Sequence, residues 1–280
     1  MNENEMRSLF ATVWSARLLG HLDNNLVALR FFNRDYEGDI RNYGDTVVIN
    51  QVSEVEVDDY EPNQDMKDPD QAGAVGISMP IDQKNYFNFQ IDDVSRAQAR
   101  VEIMDAKMNR AAFSLGQKQD RFLFNLLAEQ ALAENQLGVA TPITIQNSDD
   151  LYRLILQIRT RMSRSNVPQA GRVMALPPEA LSMALEDDRF VNTGSAEAED
   201  RLQNAVLTRG LGFDIVESNN TPGDNTIVAG HPMGATYANQ LSKTRVVEME
   251  KRFATKYDGL SVYGAMVTMP SVVTTARVAF

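Results

Sequence analysis

The sequence predicts an α+β fold, with strands near both ends of the chain and helices through its middle. Three stretches carry that expectation. Residues 46–57 (Thr-Val-Val-Ile-Asn-Gln-Val-Ser-Glu-Val-Glu-Val) are rich in β-branched side chains and alternate broadly, the pattern of a half-buried strand. Residues 95–135 repeat apolar side chains at three- and four-residue steps, the spacing of one helix face. From Thr226 onward β signals dominate to the last residue.

In chain order, residues 6–32 form an apolar stretch predicted to be helical: Leu9, Val13, Ala16, Leu18, Leu19, Leu22, Leu26, Leu29, Phe31 and Phe32, together with Trp14, the single tryptophan. Such an arm packs either on its own core or on another subunit. After the strand at 46–57 comes an acidic run. Between Glu54 and Asp70 stand eight carboxylates (Glu54, Glu56, Asp58, Asp59, Glu61, Asp65, Asp68 and Asp70) against one base, Lys67. Pro62, Pro69 and Gly73 break it, and a second strand-like stretch ends in Tyr86, Phe87, Phe89 and Ile91. This predicts one long hairpin with an acidic tip. An isolated hairpin has little core and is marginal in water, so it must dock on something. The Asp-x-Asp-x-Asp-Gly loop of a calcium site is absent, and the acidic tip reads as solvated.

Ser95 with Gln98 forms a capping box that opens a helix running to about Asn135, with Val101, Met104, Met108, Ala111, Leu115, Phe122 and Leu126 on one face. About 40 residues at 1.5 Å each give a rod of roughly 60 Å. Gly116 marks a bend within it, and Gly138 and Pro142 close it. Ser148 caps a second helix with an apolar stripe of Leu151, Leu154, Ile155, Ile158 and Met162. Its polar side carries Arg153, Arg159, Arg161 and Arg164, a solvated face or one that meets a neighbour's carboxylates or phosphates. Arg172–Leu176 reads as a short strand. Pro177-Pro178-Glu179 starts another helix, and strands follow at Thr226–Ala229, Thr244–Met249, Leu260–Met269 and Val272–Val278.

Composition excludes much chemistry. The 280 residues contain no cysteine, so a disulfide scaffold, a zinc–thiolate site and a cysteine nucleophile are out. A net charge of −11 opposes tight wrapping of nucleic acid, which needs basic surface to displace counterions. No apolar run reaches the roughly 20 residues that span a bilayer, and the first residues lack a signal-peptide pattern, so a soluble cytoplasmic protein is expected. Residues 1–100 hold 18 acidic and 9 basic side chains, whereas 201–280 hold 6 and 8. Arginine outnumbers lysine 20 to 7, and arginine is the base enriched at interfaces.

Only two histidines exist, His21 in the apolar arm and His231 in a Gly-His-Pro turn, with no Gly-x-Ser-x-Gly elbow and no paired histidines. Gly210-Leu211-Gly212 and Gly230–Gly234 read as turns and lack the phosphate-binding patterns. The pairs Asp92-Asp93, Asp149-Asp150 and Asp187-Asp188 admit a carboxylate-dependent hydrolase, although two of them sit where helices begin and complement the helix dipole. No cofactor or metal is indicated.

Several blocks, in order along most of the chain, resemble one family: Val13-Trp-Ser-Ala-Arg-Leu-Leu19, Asn33-Arg-Asp-Tyr-Glu-Gly38, Tyr43-Gly-Asp-Thr-Val47, Tyr86-Phe-Asn-Phe-Gln-Ile-Asp-Asp93 and Asp258-Gly-Leu-Ser-Val-Tyr-Gly264. They are similar to the major capsid proteins of tailed bacteriophages with the Hong Kong 97 fold, nearest the branch of the Salmonella podovirus coat protein. Residues 165–225 match only in general pattern.

The resemblance implies an N-terminal arm at 1–38, an extended β-hairpin loop at 39–92 and a peripheral domain with a long spine helix at 93–145. It further implies an axial domain at 146–235 and peripheral closing strands at 236–280. The implied function is a self-assembling subunit of pentamers and hexamers in an icosahedral shell around packaged double-stranded DNA, assembled in the host cytoplasm into the virion capsid. A cellular cargo shell of the same fold, an encapsulin, is the near alternative. The implied partners are further copies of the chain, a portal at one vertex, a decoration protein and a scaffolding protein. The scaffold is expected to be separate because the chain starts directly at the arm, and 280 residues leave no room for the Salmonella-phage member's inserted domain. Membrane contact and sequence-specific DNA binding are not expected. Expected subunit-interface residues are Trp14, Asp58, Asp59, Glu61 and Asp65, with Arg159, Arg161 and Arg164 as basic counterparts. Lys67 and Lys84 lie in the loop, but nothing in the sequence marks them as cross-linking residues.

Overall fold

The computed structural model describes residues 26–36, 46–52, 74–92, 102–191, 209–223 and 225–280. Trp14, His21, the acidic run 53–73 and the Ser95–Gln98 capping box lie outside the described residues.

Strands β1 (Thr46–Val52) and β2 (Ala74–Pro80) form an antiparallel ribbon from Thr46↔Pro80 to Val52↔Ala74. The sequence pattern suggests one strand running through to Ile91. The structure breaks it after Pro80, which brings no N–H to a ladder, and Ile81 turns into the core at 1 % exposure. Strand β3 (Gln83–Asp92) then pairs far along the chain.

The long helix α1 spans Glu102–Gln130 within the described residues, about 44 Å at 1.5 Å per residue. It stops short of the expected Asn135. Leu132 is extended and donates its N–H to Pro270 O, and a 3-10 turn at Ala133–Asn135 follows. Short strands β4 (Gln136–Leu137) and β5 (Ile143–Thr144) lead into α2 (Ser148–Arg164). The cap is Asn147 rather than Ser148: its side chain accepts the Asp150 N–H at 2.9 Å. The five stripe residues of α2 are all buried.

Strand β6 (Val173–Leu176) precedes α3 (Pro178–Leu185) and the single turn α4 (Asp188–Val191). Next come β7 (Arg209–Gly210), β8 (Phe213–Glu217) and β9 (Thr226–Gly230), then two 14-residue strands, β10 (Ala235–Glu248) and β11 (Ala254–Val267), and finally β12 (Thr274–Ala279).

A seven-stranded mixed sheet takes the order β4-β12-β9-β6-β8-β7, with β5 also paired to β12. Both of its faces are covered, which explains the nearly continuous apolar runs of β6 and β9. Met174, Leu176, Ile227, Ala229 and Phe213 face α2 and α3. Val173, Ala175, Val228 and Val216, on the other pleat, pack with Leu123, Phe124 and Leu127 of α1 and with Phe31. Arg172, only 2 % exposed, ties this layer to the end of α2. Its guanidinium donates to Pro168 O (2.8 Å), Val167 O (2.6 Å) and Ser163 Oγ (3.1 Å). Arg172→Ala leaves those acceptors without their donor and is expected to cost about 2 kcal/mol, read as a lower urea midpoint; an unchanged midpoint would show that these bonds do not hold the end of α2.

The second sheet is β10-β11-β3, antiparallel throughout. The late strands divide between the two sheets. β10 and β11 join β3, whereas β12 pairs antiparallel to β9 and parallel to β4 and β5. The 3-10 turn Pro270–Val272 redirects the chain, and Val272 seats so tightly on Gly234 that a Cβ there would lie 2.8 Å from Val272 Cβ.

Candidate assembly surfaces

Helix α1 is joined to the three-stranded sheet through polar groups. Tyr237 OH donates to Gln119 Oε1 (3.4 Å), Gln119 Nε2 to Ser261 Oγ (3.1 Å), and Ser261 Oγ to Asn239 Oδ1 (3.0 Å). Beside this chain Asn85 Nδ2 donates to Tyr263 OH at 2.7 Å, and burial pushes the Tyr263 phenol up to about 12. Phe87, Phe89 and Tyr257 stack in a row on the same inner face, with centroids 6.1 and 5.3 Å apart. The β1–β2 ribbon covers part of the outer face, where Val47, Ile49, Met79 and Ile81 bury Ala238 and Val262.

Of the expected interface residues, Trp14, Asp58, Asp59, Glu61 and Asp65 lie outside the described residues. Arg159, Arg161 and Arg164 all stand on α2, and the helix does not gather them. Arg161 and Arg164, three apart, share a flank, whereas Arg159, two before Arg161, projects from the other side beside Gly212. None of the three makes an ion pair among the described residues. Arg161 and Arg164 also sit in the last turn, where a cation complements the helix dipole.

The fourth arginine is used within the subunit. Arg153 bonds Asp149 at 2.8 Å. Asp149 also meets Arg189 at 2.9 Å, and Arg189 grips Asp187 at 2.7 Å while lying 4.1 Å over the Tyr152 ring. Hydrogen bonding to Arg189 holds the Asp187 carboxyl below the usual range. One aspartate in each of two pairs that admitted a hydrolase, Asp149 and Asp187, is thus engaged in ion pairs at a helix start. Among the described residues no group of acidic or histidine side chains is placed to hold a metal, and no helix is long and apolar enough to cross a membrane.

Sequence reading missed the other end of the three-stranded sheet. Beyond the ribbon its outer face is open: Tyr86 is 77 % exposed, Val247 46 %, and Phe253, in the turn between β10 and β11, 87 %. Arg245 and Lys256 flank Asp258 there, at 3.4 and 3.1 Å. The available signal was an aromatic side chain inside a charged turn, Glu250-Lys251-Arg252-Phe253. Large exposed apolar side chains beside charge mark protein–protein surfaces when they cluster.

Comparison with known proteins gives this architecture a family. The family of phage capsid proteins matches residues 78–277. A structure from Mycobacterium phage Che8 is 26% identical with a TM-score of 0.71, covering 89% of this chain and 90% of its own. The capsid of cyanophage P-SCSP1u is 14% identical, with a TM-score of 0.66 and 85% of each chain covered. A virus-like particle from Pyrococcus furiosus is 10% identical, with a TM-score of 0.57, covering 94% of this chain and 98% of its own. No curated protein matches the sequence. With α1 laid on the β10-β11-β3 sheet beside a seven-stranded layer, and with the match running through both sheets, the chain belongs to the phage capsid protein family: a structural, non-enzymatic, shell-forming major capsid protein of tailed phages with a Hong Kong 97-like fold.

Proposed function

We propose that copies of this chain form pentamers and hexamers of an icosahedral virion shell that encloses packaged double-stranded DNA. The observation that supports this most is the pair of extended β parts. The outward face of the β1–β2 ribbon and the end of the β10-β11-β3 sheet that the ribbon leaves uncovered present Val48, Tyr86, Val247 and Phe253 to solvent. An isolated subunit gains nothing from leaving these apolar side chains in water, whereas an assembly buries them. The net charge of −11 suits a wall that confines DNA without gripping it. Assembly in the host cytoplasm on a separate scaffolding protein, with a portal at one vertex and a decoration protein outside, completes this reading. The division into arm, loop, peripheral and axial parts belongs to the same proposal.

The carboxylates Asp58, Asp59, Glu61 and Asp65 of one copy meet arginines of another, with Arg159, Arg161 and Arg164 as the candidates that have no ion pair among the described residues. Trp14 packs across a subunit boundary. Deleting 58–70 is expected to leave a folded, soluble subunit that forms no shells in electron micrographs; normal shells from that deletion would refute the loop's role. Raising salt from 0.1 M to 1 M shortens the screening length from about 10 to about 3 Å, so assembly is expected to weaken. Assembly indifferent to ionic strength would remove the charge pairing while leaving the capsid reading intact.

The Pyrococcus furiosus particle favours one second reading, a cargo shell. DNA recovered from nuclease-treated particles supports the phage reading, and particles that hold only protein support the cargo shell.

A further inference from the structure

Asp120 is a buried carboxylate with no cation on it among the described residues. It is 1 % exposed on α1 and accepts the Ala28 N–H on Oδ1 at 3.0 Å and the Val27 N–H on Oδ2 at 3.3 Å. Those are the first donors of the 3-10 turn Ala28–Phe31, whose own N-cap, Val27, supplies no side-chain acceptor. A residue 92 positions away from Ala28 therefore caps the turn. The same turn seats Phe31 against Phe124 and Phe32 against Tyr237. The turn lies within the stretch 1–38 expected from the resemblance to be the arm.

The charged groups on the elements around Asp120 are few. On its own helix Arg121 turns to Asn220 Oδ1 at 3.4 Å. On the turn Arg30 is exposed. The segment after β8 brings the Asn220 side chain near the carboxylate, where it favours the charged form, and carries no charged group from Ser218 to Gly223. A carboxylate removed from water, with hydrogen bonds but no opposing charge, holds its proton more tightly than one in solvent.

We propose that Asp120 is a proton-sensitive anchor, holding the root of the N-terminal segment on the long helix more firmly when protonated than when charged. The sign follows from linkage. Burial, the largest influence, pushes the Asp120 carboxyl up from 3.8 to about 6 against the pull of the Ala28 and Val27 N–H groups and the Asn220 side chain. The closed anchor thus binds more protons than an opened, hydrated one. Closure is favoured in acid, and the advantage is lost as pH rises from about 4 through about 6. A carboxyl raised that far changes the opening constant by roughly 100-fold between the two ends of that window.

Amide hydrogen exchange on the full chain tests this, read at residues 27–32 and corrected for intrinsic rates between pH 4 and pH 7.5. Protection is expected to fall by up to about 100-fold across that window in the parent and to stay flat in Asp120→Asn. Asn220→Ala, at a half-exposed position, removes a donor to the charged form and is expected to move the midpoint upward. Its result stands even if Asp120→Asn fails to fold. A flat parent profile, the parent slope persisting in Asp120→Asn, or an unmoved midpoint in Asn220→Ala would each overturn the anchor.

Discussion

Replacing Gly264 with alanine is expected to destabilise the subunit by about 3 kcal/mol, the upper range for forcing an extra methyl into a packed core. A Cβ at Gly264 would point into the Pro80 carbonyl oxygen and lie 2.8 Å from Ile81 Cδ1 and 3.2 Å from Ile81 Cα. The obstacle is backbone, so no rotamer change relieves it, and the ribbon must shift from the sheet as a unit. Gly259 is tight for a different reason. Its Cβ would enter the ring of Phe87, part of the stacked row with Phe89 and Tyr257. Gly259→Ala is therefore expected to recover stability when combined with Phe87→Leu, whereas no side-chain change at Ile81 recovers Gly264→Ala fully. Urea midpoints of these variants decide it. A Gly264→Ala protein as stable as the parent would mean that the ribbon does not sit on the sheet in this way.

The second large effect is expected at Phe124, fully buried where α1 meets both the turn Ala28–Phe31 and the seven-stranded sheet. Phe124→Ala removes a ring that lies edge-on to Phe31 at 5.8 Å and 72°. The cost expected for such a cavity is about 4 kcal/mol. Because Phe31 lines the same space, Phe31→Ala in the Phe124→Ala background is expected to cost about 1 kcal/mol less than it does alone. Strict additivity in that cycle would show that the two rings do not share an interaction. The measurement also separates the turn's apolar seat from its hydrogen bonds to Asp120, which the phenylalanine changes leave in place.

The parts of this fold that are local in sequence were legible in it. The stripe Leu151, Leu154, Ile155, Ile158 and Met162 repeats every three or four residues, and all five are buried. Pro178 opens its helix in the first turn as the sequence indicated. What could not be read was pairing across distance. The blocks Tyr86–Asp93 and Asp258–Gly264 each look like strands, but nothing local says that they are partners. In the structure Tyr86 pairs Leu260, Phe87 pairs Gly259 and Asn88 pairs Asp258. That register explains their composition: Gly259 receives a ring, Ser261 joins Gln119, and Gly264 admits the Pro80 carbonyl.

The break between β2 and β3 was hidden for a related reason, since Pro80 ends one ladder only where Ile81 has a core to enter. Asp120 gave no sequence signal at all. It lies within an ordinary polar stretch of helix, Gln117–Arg121, and only the tertiary fold brings the N–H groups of Val27 and Ala28 to it. Of the candidate assembly surfaces, the arginines of α2 were visible as a pattern. The open end of the sheet, with Tyr86, Val247 and Phe253, emerged only once the ribbon's position showed which part of that face it leaves uncovered.

The most direct test of the central claim is size-exclusion chromatography of the purified chain, with negative-stain microscopy of the void fraction. Closed shells or ring-shaped capsomers, formed by the chain alone or with a candidate scaffolding protein added, are the predicted result. A compact 31.2 kDa monomer under both conditions would contradict the account.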